Sequence, residues 1–380
     1  MKKFAFIINV FRENNFHSGG EKLFYKLINK CIESNYTVDL YCSKYIGKSD
    51  TPDLPGINNI TVIGQSYYYK DPVVMEKLFQ EIQKHIDENN YDLVITDSMA
   101  PPVDMAFFQG HSLAHRLKLE NPFDAILLKL KKFNHFKYQK KWLKKGFRHI
   151  FTVSNILKND IMTNFNVNNE NISVVYPGVD ISENIENMVP DFSLIKEGKR
   201  PLAFGISAPS FKYKGGNIFL KALKSLKDKG YNFKTRIIYS KYNKNLYLKT
   251  VIKLYNLENN VEFIPYQENM QDFYNSVDFL VVPSIVETFG LVVLEAMANK
   301  RPCIVGSYAG ASEIIQDGVN GFTFNMKKNA CQNLADKMSF VLDNPDKLDQ
   351  YSQNAFETAK TYSWDKTCND FLNEVSRIIP

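Results

Sequence analysis

The stretch VVPSIVETFGLVVLEAMA, Val281 to Ala298, decides how this chain is read. A continuous apolar run stops at Pro283–Ser284, and an apolar helix carrying Leu291, Val292, Leu294, Ala296 and Met297 follows. A buried strand, a short turn and a helix form the unit from which parallel sheets are built. Thr288 is placed to cap the helix through its hydroxyl. The first amides, around Phe289, Gly290 and Leu291, lack partners within the helix, so together with the helix dipole they make a site for an anion. Gly290 lets a ligand come close to the backbone.

Two carboxylates bracket this turn. Glu287 stands before it and Glu295 eight positions later, roughly two turns along the helix. That spacing does not suit two groups sharing one proton. It suits the two ends of an elongated ligand, because a carboxylate accepts hydrogen bonds from paired hydroxyls. Hydroxyls, phosphate and hydroxyls in a row describe a nucleotide sugar. Taken alone, the stretch is equally an ordinary strand–helix unit with two solvated glutamates, so its neighbours matter. SFKYKGG, Ser210 to Gly216, follows an apolar run and precedes a helix, and its Lys212 and Lys214 can neutralise phosphate as point charges. GSYAGASEIIQDGVNGFTF, Gly306 to Phe324, supplies a further strand-to-helix loop at Gly306–Gly310 and structural turns at Asp317–Gly321.

Outward from this centre the alternation continues. Strands are expected at 202–206, 234–239, 261–264, 278–283 and 303–306, with helices at 216–229, 247–257 and 288–298 between them. The same alternation opens the chain, with strands at 4–10, 37–42, 60–63 and 93–96 and helices at 21–34 and 73–88. The fold class is therefore α/β, with two Rossmann-like doubly wound domains facing a cleft and ligands beyond the carboxyl ends of the strands. The join falls within 176–199, which holds Pro177, Gly178 and Pro190 and little periodicity. The length of 380 residues fits two such domains.

The first half carries weaker site signals. Ser18, Gly19 and Gly20 open a helix and offer another backbone anion site. His17 beside them reads as a loop residue. His111, in FFQGHSL at the end of an apolar run, is the better candidate, with His115 close enough to be mistaken for it. From Arg116 to Arg148 eleven Lys or Arg face two acids and alternate with aromatic and aliphatic side chains. Lys140, Lys141, Trp142, Lys144 and Lys145 mark the surface expected to meet an anionic membrane or an acceptor presented there. A solvated helical hairpin packed on its own domain is the alternative. No recognition motif accompanies the charge, so nucleic acid is not expected.

Composition bounds the rest. The chain is 44% hydrophobic and 23% charged with a net charge of +6, a globular balance. No apolar run reaches the roughly 18–20 residues that span a bilayer. The apolar start, Phe4 to Phe11, runs into Arg12 and Glu13 without a small-residue cleavage site and reads as a buried strand. Cys31, Cys42, Cys303, Cys331 and Cys368 are scattered and unpaired in spacing, which suits small buried side chains in a reducing, cytoplasmic setting.

The segment ETFGLVVLEAMANKRPCIVGSYAGASEIIQDGVNGF resembles the retaining GT-B glycosyltransferases of family 4, the glycosyl transferases group 1. Glu287 and Glu295 match the family's paired glutamates, and Lys214–Gly215 resembles its phosphate clamp. VVYPGVD (174–180), FTVSN (151–155) and YSWD (362–365) resemble the interdomain entry, the strand before it and the crossing that returns the last helix to the first domain. The resemblance implies a first domain of residues 1–178 completed by 362–380 and a second of 179–361. It implies transfer of a hexosyl or N-acetylhexosaminyl group from a UDP- or GDP-linked sugar, without a metal or other cofactor, to a glycan or lipid-linked acceptor in cell-surface polysaccharide assembly. Glu295 would hold the ribose and Glu287 the sugar. Lys214, Lys212, Gly19, Gly20 and the amides of Phe289, Gly290 and Leu291 would hold the diphosphate, and His111 would stand near the transferred sugar. One departure stands out: the clamp arginine that the family places soon after the first strand of the second domain has no counterpart in GISAPSFKYKG, where Lys212 or Lys214 must serve. That departure keeps open a non-catalytic partner subunit or sugar-binding module on the same fold. An epimerase on a similar fold would need acid–base groups beyond Glu287 and His111.

Overall fold

The computed structural model describes the chain except residues 1, 14–15, 17, 48–54, 64–71, 98–102, 121, 182–189, 267–268 and 380, and except the side chains of 72–76, 78–79, 138, 142 and 144–145. His17 thus lies outside the described residues. The chain divides into two compact units, Met1–Pro177 with Trp364–Pro380, and Gly178–Ser363.

The first unit runs β1 (Lys3–Arg12), α1 (Gly19–Glu33), β2 (Thr37–Ile46), β3 (Ile57–Val62), α2 (Pro72–Asn89), β4 (Leu93–Thr96), β5 (Met105–Phe108), α3 (Leu113–Leu119), α4 (Pro122–Lys131), α5 (Phe133–Lys145), β6 (His149–Thr152), α6 (Asn155–Phe165) and β7 (Ile172–Val174). Its strands form a parallel sheet in the order β3-β2-β1-β4-β5-β6-β7. The apolar start of the chain is an interior strand: β1 pairs with β2 on one side and β4 on the other. Phe4 to Ile8 are all buried, as a strand covered on both faces requires. α1 lays Leu23, Phe24, Leu27, Ile28 and Cys31 on the sheet, and Ser18 caps it by accepting from the Glu21 amide at 3.3 Å.

The second unit runs α7 (Ser193–Lys196), β8 (Leu202–Ser207), α8 (Gly216–Asp228), β9 (Phe233–Ile238), α9 (Leu246–Leu254), β10 (Val261–Ile264), α10 (Gln271–Asn275), β11 (Phe279–Val282), α11 (Leu291–Ala298), β12 (Cys303–Gly306), β13 (Gly321–Phe324), α12 (Ala330–Asp343) and α13 (Leu348–Lys360). Its parallel sheet has the order β10-β9-β8-β11-β12-β13. Strand order reverses between β8 and β11, which is where doubly wound sheets open a crevice beyond the carboxyl ends of their strands. The loops after β8, β11 and β12 are therefore neighbours.

The last helix, α14 (Trp364–Ile378), returns to the first unit. Its Phe371 ring lies 5.0 Å from Phe151 and 6.1 Å from Phe107, extending an aromatic core that reaches Phe24. Its Glu374 accepts from the Ser173 hydroxyl at 2.9 Å, and that hydroxyl lies 2.9 Å from Nε2 of His149. Burial pushes His149 down to about 4, with Glu374 opposing that shift. The unfolded chain therefore takes up a proton near pH 6.5 that the folded chain refuses until about pH 4. We expect the unfolding midpoint in urea to fall as pH drops from 6.5 towards 4, and a His149→Gln variant to show a shallower fall.

Candidate functional site

In the second unit three loops meet at the reversal point. Gly215 ends the loop after β8 with φ 75°, and a Cβ there would overlap the carbonyl oxygen of Pro283. The Ile285 amide donates to the Tyr213 carbonyl at 2.8 Å, so the loops after β8 and β11 run side by side. On the other flank Glu287 bridges Ala309, and the Ala311 amide donates to the Phe289 carbonyl at 2.8 Å, which ties in the loop after β12. These backbone contacts place Lys214 against Glu287, and its ammonium donates to Oε2 in an ion pair.

The helix behind this pair begins later than its sequence suggests. α11 starts at Leu291 with Gly290 as its N-cap, φ 101°, and no side chain caps it. Thr288 is thus not the cap, because the chain needs a left-handed residue immediately before the helix and only Gly290 takes that conformation cheaply. The helix start faces the site uncapped, beside the Glu287 side chain: a Cβ on Gly290 would lie 3.2 Å from Glu287 Cγ. Phe289 is buried, and Leu291 opens the first turn. Lys212 is exposed, its ammonium 5.6 Å above the Tyr213 ring.

Glu295 stands one turn into α11 rather than two, and its Oε2 accepts from the Tyr274 hydroxyl at 2.7 Å. Burial and then the Glu295 charge push that phenol well above its ordinary range, so it remains a donor. Arg301, itself buried, donates to the Tyr274 carbonyl at 2.8 Å and so anchors the backbone of that residue. The carboxylate keeps acceptor capacity for hydroxyls. Tyr274 carries no local sequence signal, because its partner lies 21 residues away on another helix.

In the first unit His111 sits just after β5. Its Nδ1 lies 3.2 Å from Asp160 Oδ2 on α6, and its ring stacks on His115 with centroids 4.2 Å apart. Asp160 also accepts from the Ser112 amide at 2.8 Å, the Ser112 hydroxyl at 2.6 Å and the Asn164 amide group at 2.7 Å. Burial works against the Asp160 carboxylate, but hydrogen bonds from His111 and Ser112 outweigh it and hold its pKa below the usual range. A persistent carboxylate at Nδ1 selects the tautomer that carries its proton there, leaving Nε2 with the lone pair. That Nε2 is buried and without a hydrogen-bond partner among the described residues. Burial, followed by the neighbouring His111, pushes His115 down. The readable trace of Asp160 was an acid on the buried stripe of a helix, beside Leu157 and Ile161.

His111, His115 and Asp160 bring ligand atoms within 4.8 Å of one another, a group that invites a metal. The two imidazoles lie within 8° of parallel, however, so their in-plane lone pairs do not converge on one point. Both Asp160 oxygens are engaged as well. The cluster is built as a hydrogen-bonded network. Gly19 and Gly20 form the first turn of α1, where the Gln109 side chain donates to the Gly20 carbonyl at 3.5 Å. Lys140 and Lys141 are exposed on α5, while the side chains of Trp142, Lys144 and Lys145 lie outside the description.

Comparison with known proteins fits this geometry. The family model described as Glycosyl transferases group 1 matches residues 193–358, and the one described as Glycosyltransferase Family 4 matches residues 17–183. The chain belongs to the GT-B glycosyltransferases of family 4. An uncharacterized glycosyltransferase of Methanocaldococcus jannaschii is 31% identical over 260 residues, which is 67% of this chain and 66% of that protein. The matched part is thus a little under two thirds of that relative's length. Among solved structures, WaaG, a glycosyltransferase involved in lipopolysaccharide biosynthesis, superposes with a TM-score of 0.73 at 17% identity, covering 97% of this chain and 98% of WaaG. Anabaena HepE in complex with UDP gives 0.69 at 17% identity, covering 99% and 100%. Both share the fold, two Rossmann-like domains of parallel sheets.

Two substitutions test how the site is held. Gly215→Ala should lower stability by at least about 2 kcal/mol, through the strained φ and the collision with Pro283. Gly230→Ala, at φ 82° with open space around it, should cost less, and thermal unfolding of the two variants compares them. Asp160→Asn should remove the preference for the Nδ1–H tautomer of His111, read from imidazole ¹⁵N shifts.

Proposed function

We propose that this chain transfers a hexosyl or N-acetylhexosaminyl group from a nucleoside-diphosphate sugar to a glycan or lipid-linked acceptor, with retention of configuration and without a metal. The observation that carries the reading is the meeting of Lys214, Glu287 and an uncapped helix start at the reversal point of the second sheet, in a member of a glycosyltransferase family. Lys214 and the backbone amides of Leu291 at the start of α11, of its N-cap Gly290 and of Phe289 just before it take the diphosphate, whose charge grows as the glycosidic bond breaks. Fixed donors aimed at developing charge are the largest single contribution such a site can make. Glu287 accepts from sugar hydroxyls, and Glu295, held by Tyr274, accepts from the ribose. His111 stands near the transferred group, its ring oriented by Asp160. The UDP bound by HepE favours a uridine donor, and guanosine is the other candidate. Retention, the hexosyl class and independence of a metal come from the family resemblance of the 287–322 segment.

The acceptor is proposed to lie at the inner face of the cell membrane, in polysaccharide or glycoconjugate assembly. The role of WaaG in lipopolysaccharide biosynthesis supports this, as do the exposed Lys140 and Lys141. No described helix is long and apolar enough to cross a membrane. One observation favours a second reading, a non-catalytic subunit: the clamp arginine has no counterpart, and the charge of Lys212 sits over Tyr213.

Lys214→Ala and Glu287→Ala should each lower kcat by about a hundredfold or more with the donor that most raises the melting temperature in a nucleotide-sugar screen. Turnover of every accepted donor within a few-fold of the parent in both variants would overturn the assignment. Donor that stabilises the chain but releases no nucleoside diphosphate, with or without acceptor, would favour the non-catalytic reading.

A further inference from the structure

The basic stretch folds differently from the way its composition reads. The lysine-rich α5 turns apolar side chains inward: Leu143 is buried, and Phe147 just beyond it packs edge-on against Phe108. The helix that turns its apolar face outward is α4. Phe123 is 69% exposed, Ile126 61%, Leu127 37% and Leu130 71%, and Phe133 at the start of α5 is 63% exposed. On α4 these positions follow the i, i+3, i+4, i+7 spacing of one helical stripe. The opposite side holds Ala125 and Leu128, both half-buried, where α4 packs against α3 and α5. An amphipathic helix with its apolar stripe in solvent is an unpartnered face.

We infer that this stripe is the face by which the chain docks on an anionic lipid surface, with the apolar side chains entering the headgroup boundary. The inference rests on the membrane part of the proposed function and assigns it to other residues. Charge complementarity identifies the occupant. Lys129 and Lys131 are exposed on α4, Lys137, Lys140 and Lys141 are exposed on α5 at i+4, i+7 and i+8 from the exposed Phe133, and the acid within α4, Asp124, is half-buried. A helix lying in the interface needs this composition, with large apolar groups below and lysines at the level of anionic headgroups. A second copy of the chain is a poor occupant. A two-fold contact over the stripe would set the same lysines against one another.

Flotation of the full chain tests the assignment, with vesicles of phosphatidylcholine alone and of phosphatidylcholine mixed with phosphatidylglycerol. The chain should float with the mixed vesicles and not with the neutral ones, and salt should weaken binding. The exposed-site variant Phe123→Glu/Leu130→Glu should lose binding about tenfold or more while its donor-induced thermal shift stays unchanged. Lys140→Glu/Lys141→Glu should weaken binding less, because these residues flank the inserted stripe. If the wild type floats and the α4 variant binds within about twofold of it, the docking face lies elsewhere and the membrane reading survives. If the wild type does not float, both fall, and the glycosyl-transfer reading is untouched. A wild-type dimer that Leu130→Glu dissolves, without flotation, would show that the stripe covers a second copy instead.

Discussion

The geometry of the candidate site in the second unit hangs on one close approach. Gly215 leaves no room for a Cβ against the Pro283 carbonyl, and it needs a positive φ in the same place. A side chain would push the loop after β8 away from the loop after β11, and the hydrogen bond between Ile285 and Tyr213 would lengthen with it. Lys214 would then leave Glu287. The sheet supplies the coarse condition, since strands β8 and β11 are adjacent where the winding reverses. The glycine supplies the fine one, the few ångströms that turn neighbouring loops into a single surface.

Most of the fold was legible because it rests on patterns that act locally. Apolar runs of strand length, separated by helices with buried stripes, announce parallel sheets whatever their partners, and both sheets follow that rule. Boundaries were less legible where backbone conformation decides them. The helix expected from Thr288 begins at Leu291, because Gly290 is the residue that tolerates the left-handed turn into it. That shift also moves Glu295 from two turns along the helix to one. Contacts between distant segments were hardest to read. Tyr274 reaches Glu295 across 21 positions, and Asp160 reaches His111 across 49, so neither pair has a spacing that periodicity can register. Composition alone also does not separate the helices of the basic stretch. Lysine density peaks on α5, while outward apolar surface peaks on α4, and only burial separates the two.

In the first unit His111 has a support shell built as carefully as a metal ligand's, without a convergent ligand set. Four hydrogen bonds converge on Asp160, from His111, from Ser112 twice and from Asn164. Their sum overcomes a burial cost that would otherwise neutralise the acid. The imidazole is thereby fixed in tautomer by Asp160 and in plane by His115. A histidine held this rigidly keeps one orientation, with its Nε2 buried behind the network.

On the proposed reading the Lys214–Glu287 pair would add a selection that neither residue provides alone. Removing one partner from a partly buried ion pair leaves the other charge less compensated. A ligand that offers only an anion draws Lys214 and leaves Glu287 beside the α11 start facing a phosphate. A ligand that offers only hydroxyls reaches Glu287 but gives Lys214 and the helix start nothing to hold. A sugar joined to a diphosphate satisfies both at once, with hydroxyls for the carboxylate and phosphate oxygens for the ammonium and the amides. On the proposed reading the paired state would favour the intact donor over either of its halves, and it would return once the bond between them is broken and the halves depart.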